Sequence, residues 1–321
     1  MAIPTTTLDP QVEALLERFQ TSAAQPPAHG HTPSAAEKIA ARRQRVNSFA
    51  AFGLPPEPLA KVGDFDIPGP VKKIPVRLYA PQTATPAPVL VYYHGGGFVA
   101  GSLDSHDRLL RALANRARCL MVSVAYRLAP EHPYPAANED CWAALTWVAA
   151  HASKIGADPH RIAVAGDSAG GLLAAGVAQK AVAHGPALRL QALLYPNLDA
   201  TLSKPAWQTL GPGAFLVERS QMIDLLDFYL PPGINRQDPS VSPLFAPYLT
   251  GLAPALIVTA DHDPLHEEGE EYAARLKAAN VRVELIRWPG MVHGFALFAG
   301  VLDAGKALIE RTAAALGQAF K

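Results

Sequence analysis

The stretch that most restricts the fold runs from Arg161 to Gly171. Arg161-Ile162-Ala163-Val164-Ala165 is an apolar run, and Gly166-Asp167-Ser168-Ala169-Gly170-Gly171 follows it without a break. Such a pattern reads as a buried strand, a very tight turn and the start of a helix, with one hydroxyl at the tip. Gly166 and Gly170 stand two positions either side of Ser168, matching G-x-S-x-G, and a side chain at either place would collide with neighbouring backbone. A serine hydroxyl is a poor nucleophile at neutral pH. It needs exposure on a sharp turn, a base to take its proton and amide donors to hold an oxyanion. Unless the rest of the chain supplies those parts, Ser168 is a helix cap between small residues.

The strand–turn–helix unit sits in an alternating series. Ile74, Val76 and Leu78 alternate with polar or charged neighbours, as in a half-buried strand. Residues 89–93 and 119–124 are continuous apolar runs, the mark of strands covered on both faces. Helical periodicity follows at 107–116 and 136–151, then the strand at 162–165 and a helix over 168–183. Further strands are expected at 190–195, 255–260 and 281–288, with helices at 267–279 and 304–319. This βα order places the chain in the α/β class, with a mostly parallel central sheet flanked by helices.

Two regions stand outside the alternation. Asp9-Pro10 opens a helix with Val12, Leu15, Leu16 and Phe19 on one face. After the break Gln25-Pro26-Pro27-Ala28-His29-Gly30, Ser34 and Glu37 form a capping box for a second helix through 39–46. Between Pro196 and Pro254 no strand is expected, and a helix at 217–230 carries Met222, Leu225, Leu226 and Tyr229. The expected organisation is N-terminal cap helices over 1–50, a core in two parts over 51–200 and 249–321, and a helical cap insertion over 201–248.

Composition removes several function classes. With 321 residues, 49% of them hydrophobic and 17% charged, the chain has enough apolar material for one large core. The 28 basic and 28 acidic residues cancel and no basic run exists, so a nucleic-acid partner is not expected. No run of about 18 apolar residues suggests a membrane span. The two cysteines, Cys119 and Cys141, cannot build a disulfide framework, and the first residues lack a signal-peptide pattern. A cytoplasmic setting is the expectation.

A second motif, His94-Gly95-Gly96-Gly97-Phe98, also follows a strand directly. Three consecutive glycines let backbone amides converge on one point about 3 Å from a developing negative charge, as an oxyanion hole requires. Gly95, Gly97 and Ala100 also match the dinucleotide-binding fingerprint, but the next strand ends Ser123-Val124-Ala125-Tyr126-Arg127, without the acid that motif needs. No Gly-Lys-Ser/Thr is present for a phosphate loop. Among 11 histidines, His29, His31, His151, His160 and His184 lie in polar breaks or helix ends and need no role. With a serine on this kind of turn the order is Ser, then Asp or Glu, then His. His293, in the Gly-bracketed loop after the last strand, is the candidate base. Asp261 and Asp263 both end the strand at 255–260 and precede His293. Helix capping is the bland alternative for one of them, since Asp263 before Pro264 suits the cap of the following helix, and the residues alone leave the choice near even. His262 and His266 read as surface or supporting groups.

Taken together, the segments at 94–98, 126–136, 166–171, 263–265 and 293–295 resemble the hormone-sensitive-lipase-like esterases, or bacterial family IV esterases, of the α/β-hydrolase fold. They run in the family's order over the last three-quarters of the chain. The resemblance implies Ser168 as nucleophile, His293 as base and Asp263 as the acid. It implies Gly96, Gly97 and Ala169 as oxyanion donors, with His94 positioning the loop. It also implies a small-molecule ester with a short to medium acyl chain as substrate, and no cofactor or metal. Phe98, Trp207 and Phe215 are candidate substrate-pocket residues, and Phe228 a further apolar pocket or lid residue. Where the family commonly reads Asp-Pro-Leu-Arg-Asp-Glu this chain reads Asp263-Pro264-Leu265-His266-Glu267-Glu268, and it has Phe98 where tryptophan is frequent. Amide or carbamate hydrolysis on the same fold is the nearest alternative. Non-catalytic plant gibberellin receptors resemble the family but lack the histidine that this chain keeps as His293. Oligomeric state is open, a homodimer included.

Overall fold

The structure, a computed structural model, describes residues 7–22, 33–210 and 216–321. Phe215, His29, His31 and the break at 25–30 lie outside the described residues. Two helices come first, α1 (Pro10–Ser22) and α2 (Ala35–Ser48). The capping box at Ser34 and Glu37 forms as the sequence predicts. Then follow β1 (Lys61–Ile67), β2 (Ile74–Ala80), β3 (Ala87–Tyr93), α3 (Asp107–Ala117), β4 (Leu120–Val124) and α4 (Ala136–Ala150). After these come β5 (Ala157–Asp167), α5 (Ala169–His184), β6 (Leu188–Leu194), α6 (Ala206–Thr209) and α7 (Arg219–Tyr229). The chain closes with β7 (Ala255–His262), α8 (His266–Ala278), β8 (Val283–Val292) and α9 (Asp303–Ala319).

Among the described residues the strands form one eight-stranded sheet in the order β1-β2-β4-β3-β5-β6-β7-β8. Only β2 runs against the rest, pairing antiparallel with both β1 and β4. The continuous apolar runs are the buried centre: every residue of 89–93 and 162–165 is fully inaccessible. A strand with water on neither face has no use for polar alternation. The chain crosses from β3 to β4 in one direction and from β4 to β5 in the other. Right-handed crossovers therefore put α3 on one face of the sheet and α4 on the opposite one. α3 packs against α9, and α4 packs against α5.

The reversal after β3 opens a crevice outside the carboxyl ends of β3 and β5, where ligands of open α/β sheets bind. Strand register then decides which residues meet there. Tyr93 pairs with Gly166 across β3 and β5, so His94 and Asp167 leave the sheet side by side. His262 pairs with Val292 across β7 and β8, so the next residues out are Asp263 and His293. Among the described residues no helix is long and apolar enough to cross a membrane.

Candidate active site

Ser168 stands between β5 and α5 with φ 55° and ψ −122°, a conformation that residues with a Cβ seldom occupy. Its surroundings over-determine it. The Ser168 amide donates to the Leu194 carbonyl at 2.9 Å, and its own carbonyl accepts from Gly171 and Asn197. The small flanking residues are a steric necessity. A Cβ on Gly166 would come within 2.1 Å of the Gly170 carbonyl oxygen, and one on Gly170 within 1.9 Å of the Tyr93 oxygen.

Three side chains from three strand ends line up at this turn. Ser168 Oγ lies 2.8 Å from His293 Nε2, and His293 Nδ1 lies 2.7 Å from Asp263 Oδ2. Asp263 is fully buried, while Ser168 and His293 keep 8% and 7% of their surface. The two aspartates left open by sequence are separated by their partners. Asp261 pairs with Arg287 on β8 at 2.5 Å, whereas Asp263 faces His293. Asp263 also does the capping job of the bland reading, because its Oδ1 accepts the Leu265 amide at 2.9 Å. The two readings of that residue were never exclusive.

The glycine loop is held to the serine turn by one carboxylate. Asp167 Oδ1 accepts the Gly95 amide at 2.8 Å and the Tyr92 hydroxyl at 2.9 Å, and His106 Nε2 lies 3.1 Å away. Burial by itself would push the Asp167 carboxyl up, but His106, Tyr92 and the Gly95 amide outweigh it and hold the group below its usual value. His94 is stacked on Tyr126, whose hydroxyl donates to the His94 carbonyl at 2.6 Å. Burial first, and His106 next, pull the His94 imidazole down to about 4, so it is neutral at pH 7 and serves to shape the loop. The Gly96 and Gly97 amides donate to no group among the described residues, and Ala169 opens α5, where the first amides have no intrahelical acceptor.

Two of the aromatic residues expected at the substrate, Phe98 and Trp207, are buried against other side chains. Phe98 is 1% exposed and lies flat on Tyr229 of α7, with ring centroids 3.8 Å apart; it ties the glycine loop to the helix above it rather than opening to the cleft. Trp207 is also 1% exposed, and its indole donates to Glu268 at 3.3 Å. Phe228, by contrast, does line the cleft between α2 and α7. His266 is buried, not on the surface, with Nδ1 2.8 Å from the Asp263 carbonyl oxygen.

Sequence reasoning passed over Glu268. This buried carboxylate accepts the amides of Leu198 and Asp199 as well as the Trp207 indole, and so fixes the loop after β6 that accompanies the serine turn. Its only sequence signal was that it keeps the glutamate closing the family pattern at 263–268. Cys119 and Cys141 are both buried free thiols. Among the described residues no cluster of three His, Cys, Asp or Glu could hold a metal ion.

Residues 90–297 match the family described as alpha/beta hydrolase fold. A carboxylesterase of Mycobacterium tuberculosis is 48% identical over 253 residues, covering 77% of this chain and 79% of that one. An ethyl acetate hydrolase of Pseudomonas putida is 40% identical over 72% of this chain and 74% of its own length. Among solved structures, an ester hydrolase from the Lake Arreo metagenome superposes with a TM-score of 0.90 at 35% identity, covering 98% of this chain and 99% of that one. An esterase of the archaeon Pyrobaculum calidifontis does so with a TM-score of 0.89 at 36% identity, covering 97% and 98%.

Proposed function

The chain belongs to the hormone-sensitive-lipase-like branch of the alpha/beta-hydrolase family and is an ester hydrolase; on that premise we propose that Ser168, His293 and Asp263 carry the reaction through an acyl-enzyme. The observation behind this reading is the continuous row from Asp263 through His293 to the Ser168 hydroxyl. Ser168 Oγ attacks the ester carbonyl carbon as His293 Nε2 takes its proton. Asp263 holds Nδ1–H, which fixes the tautomer and stabilises the imidazolium. The amides of Gly96, Gly97 and Ala169 receive the carbonyl oxygen as it becomes an oxyanion. Collapse expels the alcohol, which leaves with the proton from His293. Water, deprotonated by the same imidazole, then attacks the acyl carbon and releases the acid and the free serine.

The substrate class we infer is a short- to medium-chain acyl ester, in keeping with the ester hydrolases the chain resembles. The cap would comprise 1–50 and 201–248; the Lys38–Asp224 ion pair, which ties α2 to α7 at 2.7 Å, supports that division. The two free thiols fit a cytoplasmic protein. Ser168→Ala should retain the circular dichroism spectrum and lower kcat on 4-nitrophenyl butyrate by about 1000-fold or more. A folded variant with wild-type turnover would end the assignment.

A further inference from the structure

Helix α2 presents a basic stripe to the cleft it forms with α7. Lys38, Arg42 and Arg45 follow at i, i+4 and i+7, so they share one face. They line a cavity of about 300 Å³ whose apolar wall includes Val99, Leu225 and Phe228. The cations of this helix are not equivalent. Lys38 is neutralised by Asp224 at 2.7 Å. Arg43 is fully engaged, with Nη1 and Nη2 on the Glu131 carboxylate and Nε on the Val99 carbonyl. Arg42 forms no ion pair among the described residues, and its Nε is buried without a hydrogen-bond partner. Residues 1–6, 23–32 and 211–215 contain no Asp or Glu, so no carboxylate side chain can reach it from there. Arg45 also lacks a salt bridge among the described residues, with Glu218 acting on it only from a distance.

A guanidinium left this way is held at a cost. Burial, aggravated by Arg45, pulls Arg42 down to about 10. An anion delivered into the cleft would relieve both the desolvation and the repulsion between the two arginines. The cleft also reaches the glycine loop. Val99 lies two residues beyond Gly97, and a Cβ on Gly97 would come within 2.6 Å of Leu225 Cδ1. Two residues span at most about 7 Å, so the cleft wall at Val99 lies no farther than that from the Gly97 backbone.

Resting on the reading that Ser168 opens an ester at that loop, we propose that the cleft is a subsite for an ester bearing a free carboxylate. Arg42 holds the carboxylate, Arg45 stands beside it, and the hydrocarbon lies on Val99, Leu225 and Phe228. The subsite selects a substrate that is apolar in the middle and anionic at one end.

Two probe pairs test this. Mono-4-nitrophenyl adipate against its methyl ester places the carboxylate on the acyl side. 4-Butyryloxyphenylacetate against its methyl ester places it on the alcohol side. In Arg42→Gln the ratio of kcat/KM for charged over neutral ester should fall at least about tenfold in one pair, and Arg42→Lys should recover most of the loss. The pair affected identifies which half of the ester carries the charge. A ratio within twofold of wild type in both pairs overturns the proposal. If Arg42→Gln does not fold, the wild-type ratio decides: it should fall with rising ionic strength, and a flat ratio overturns the proposal. Failure to hydrolyse any neutral ester would defeat the catalytic reading separately. Calorimetric titration of monomethyl adipate into Ser168→Ala, with and without Arg42→Gln, then reads the subsite directly. At least about tenfold weaker binding supports it, and equal affinity overturns it.

Discussion

The two aspartates at the end of β7 are two residues apart and chemically identical, yet their partners give them different work. Asp263 faces His293, and Asp261 faces Arg287. Asp263→Asn should therefore lower kcat by about 10,000-fold, because an amide stabilises the wrong imidazole tautomer and no imidazolium. Asp261→Asn should leave kcat within about threefold and register instead as a lower melting temperature, since it leaves Arg287 short of a buried partner. Steady-state kinetics and a thermal melt on the two variants check both outcomes. At this scale the motifs were readable because glycine and small residues at fixed offsets have no other use: Gly166 and Gly170 admit no Cβ. Orientation was not readable. Phe98 adjoins the glycine loop and Trp207 lies in the stretch expected as the cap insertion, but a ring's neighbours in sequence do not say whether it faces a cleft or a helix. Phe98 faces Tyr229 and Trp207 faces Glu268.

Elements carry the site because strand register delivers its parts in pairs. The apolar runs of β3 and β5 disclosed buried parallel strands, and their register brings the glycine loop and the serine turn together. β1 escaped the sequence reading: it is an edge strand with mostly accessible residues, so neither an apolar run nor a clean alternation marks it. The fastening between loop and turn, Asp167 on the Gly95 amide, crosses two elements and is invisible in either segment alone. Asp167→Asn keeps the shape and removes the charge that gathers Gly95, Tyr92 and His106. It should lower kcat by about 10- to 100-fold with KM little changed, somewhat less than outright loss of an oxyanion donor. Equal losses in kcat and 1/KM would point to a damaged binding cleft rather than a displaced loop.

For the molecule as a whole, the polar core sets an acid limit. His94 titrates at about 4 in the fold against an ordinary value of 6.5, so between these pH values the unfolded chain binds a proton that the folded one refuses. Stability contributed by neutral His94 is complete above pH 6.5 and is lost as pH falls toward 4, a swing of up to roughly 3 kcal/mol. The melting temperature should accordingly drop between pH 7 and pH 4.5, and His94→Asn should flatten that drop while lowering stability at both. An unchanged slope in the variant would move the acid sensitivity to other groups. The α/β alternation announced the sheet and its flanking helices, because each element carries its own periodicity. The cleft between α2 and α7 had no such signature, since residues nearly two hundred positions apart build it. The central claim is that Ser168 is acylated in turnover. Acid-quenching the reaction with 4-nitrophenyl butyrate within the first turnovers, then mapping the digest by mass spectrometry, tests it directly. The expected result is one butyryl group on the peptide containing Ser168, absent from Ser168→Ala. A wild-type enzyme that turns over with no adduct, or with the adduct on another residue, would contradict the account.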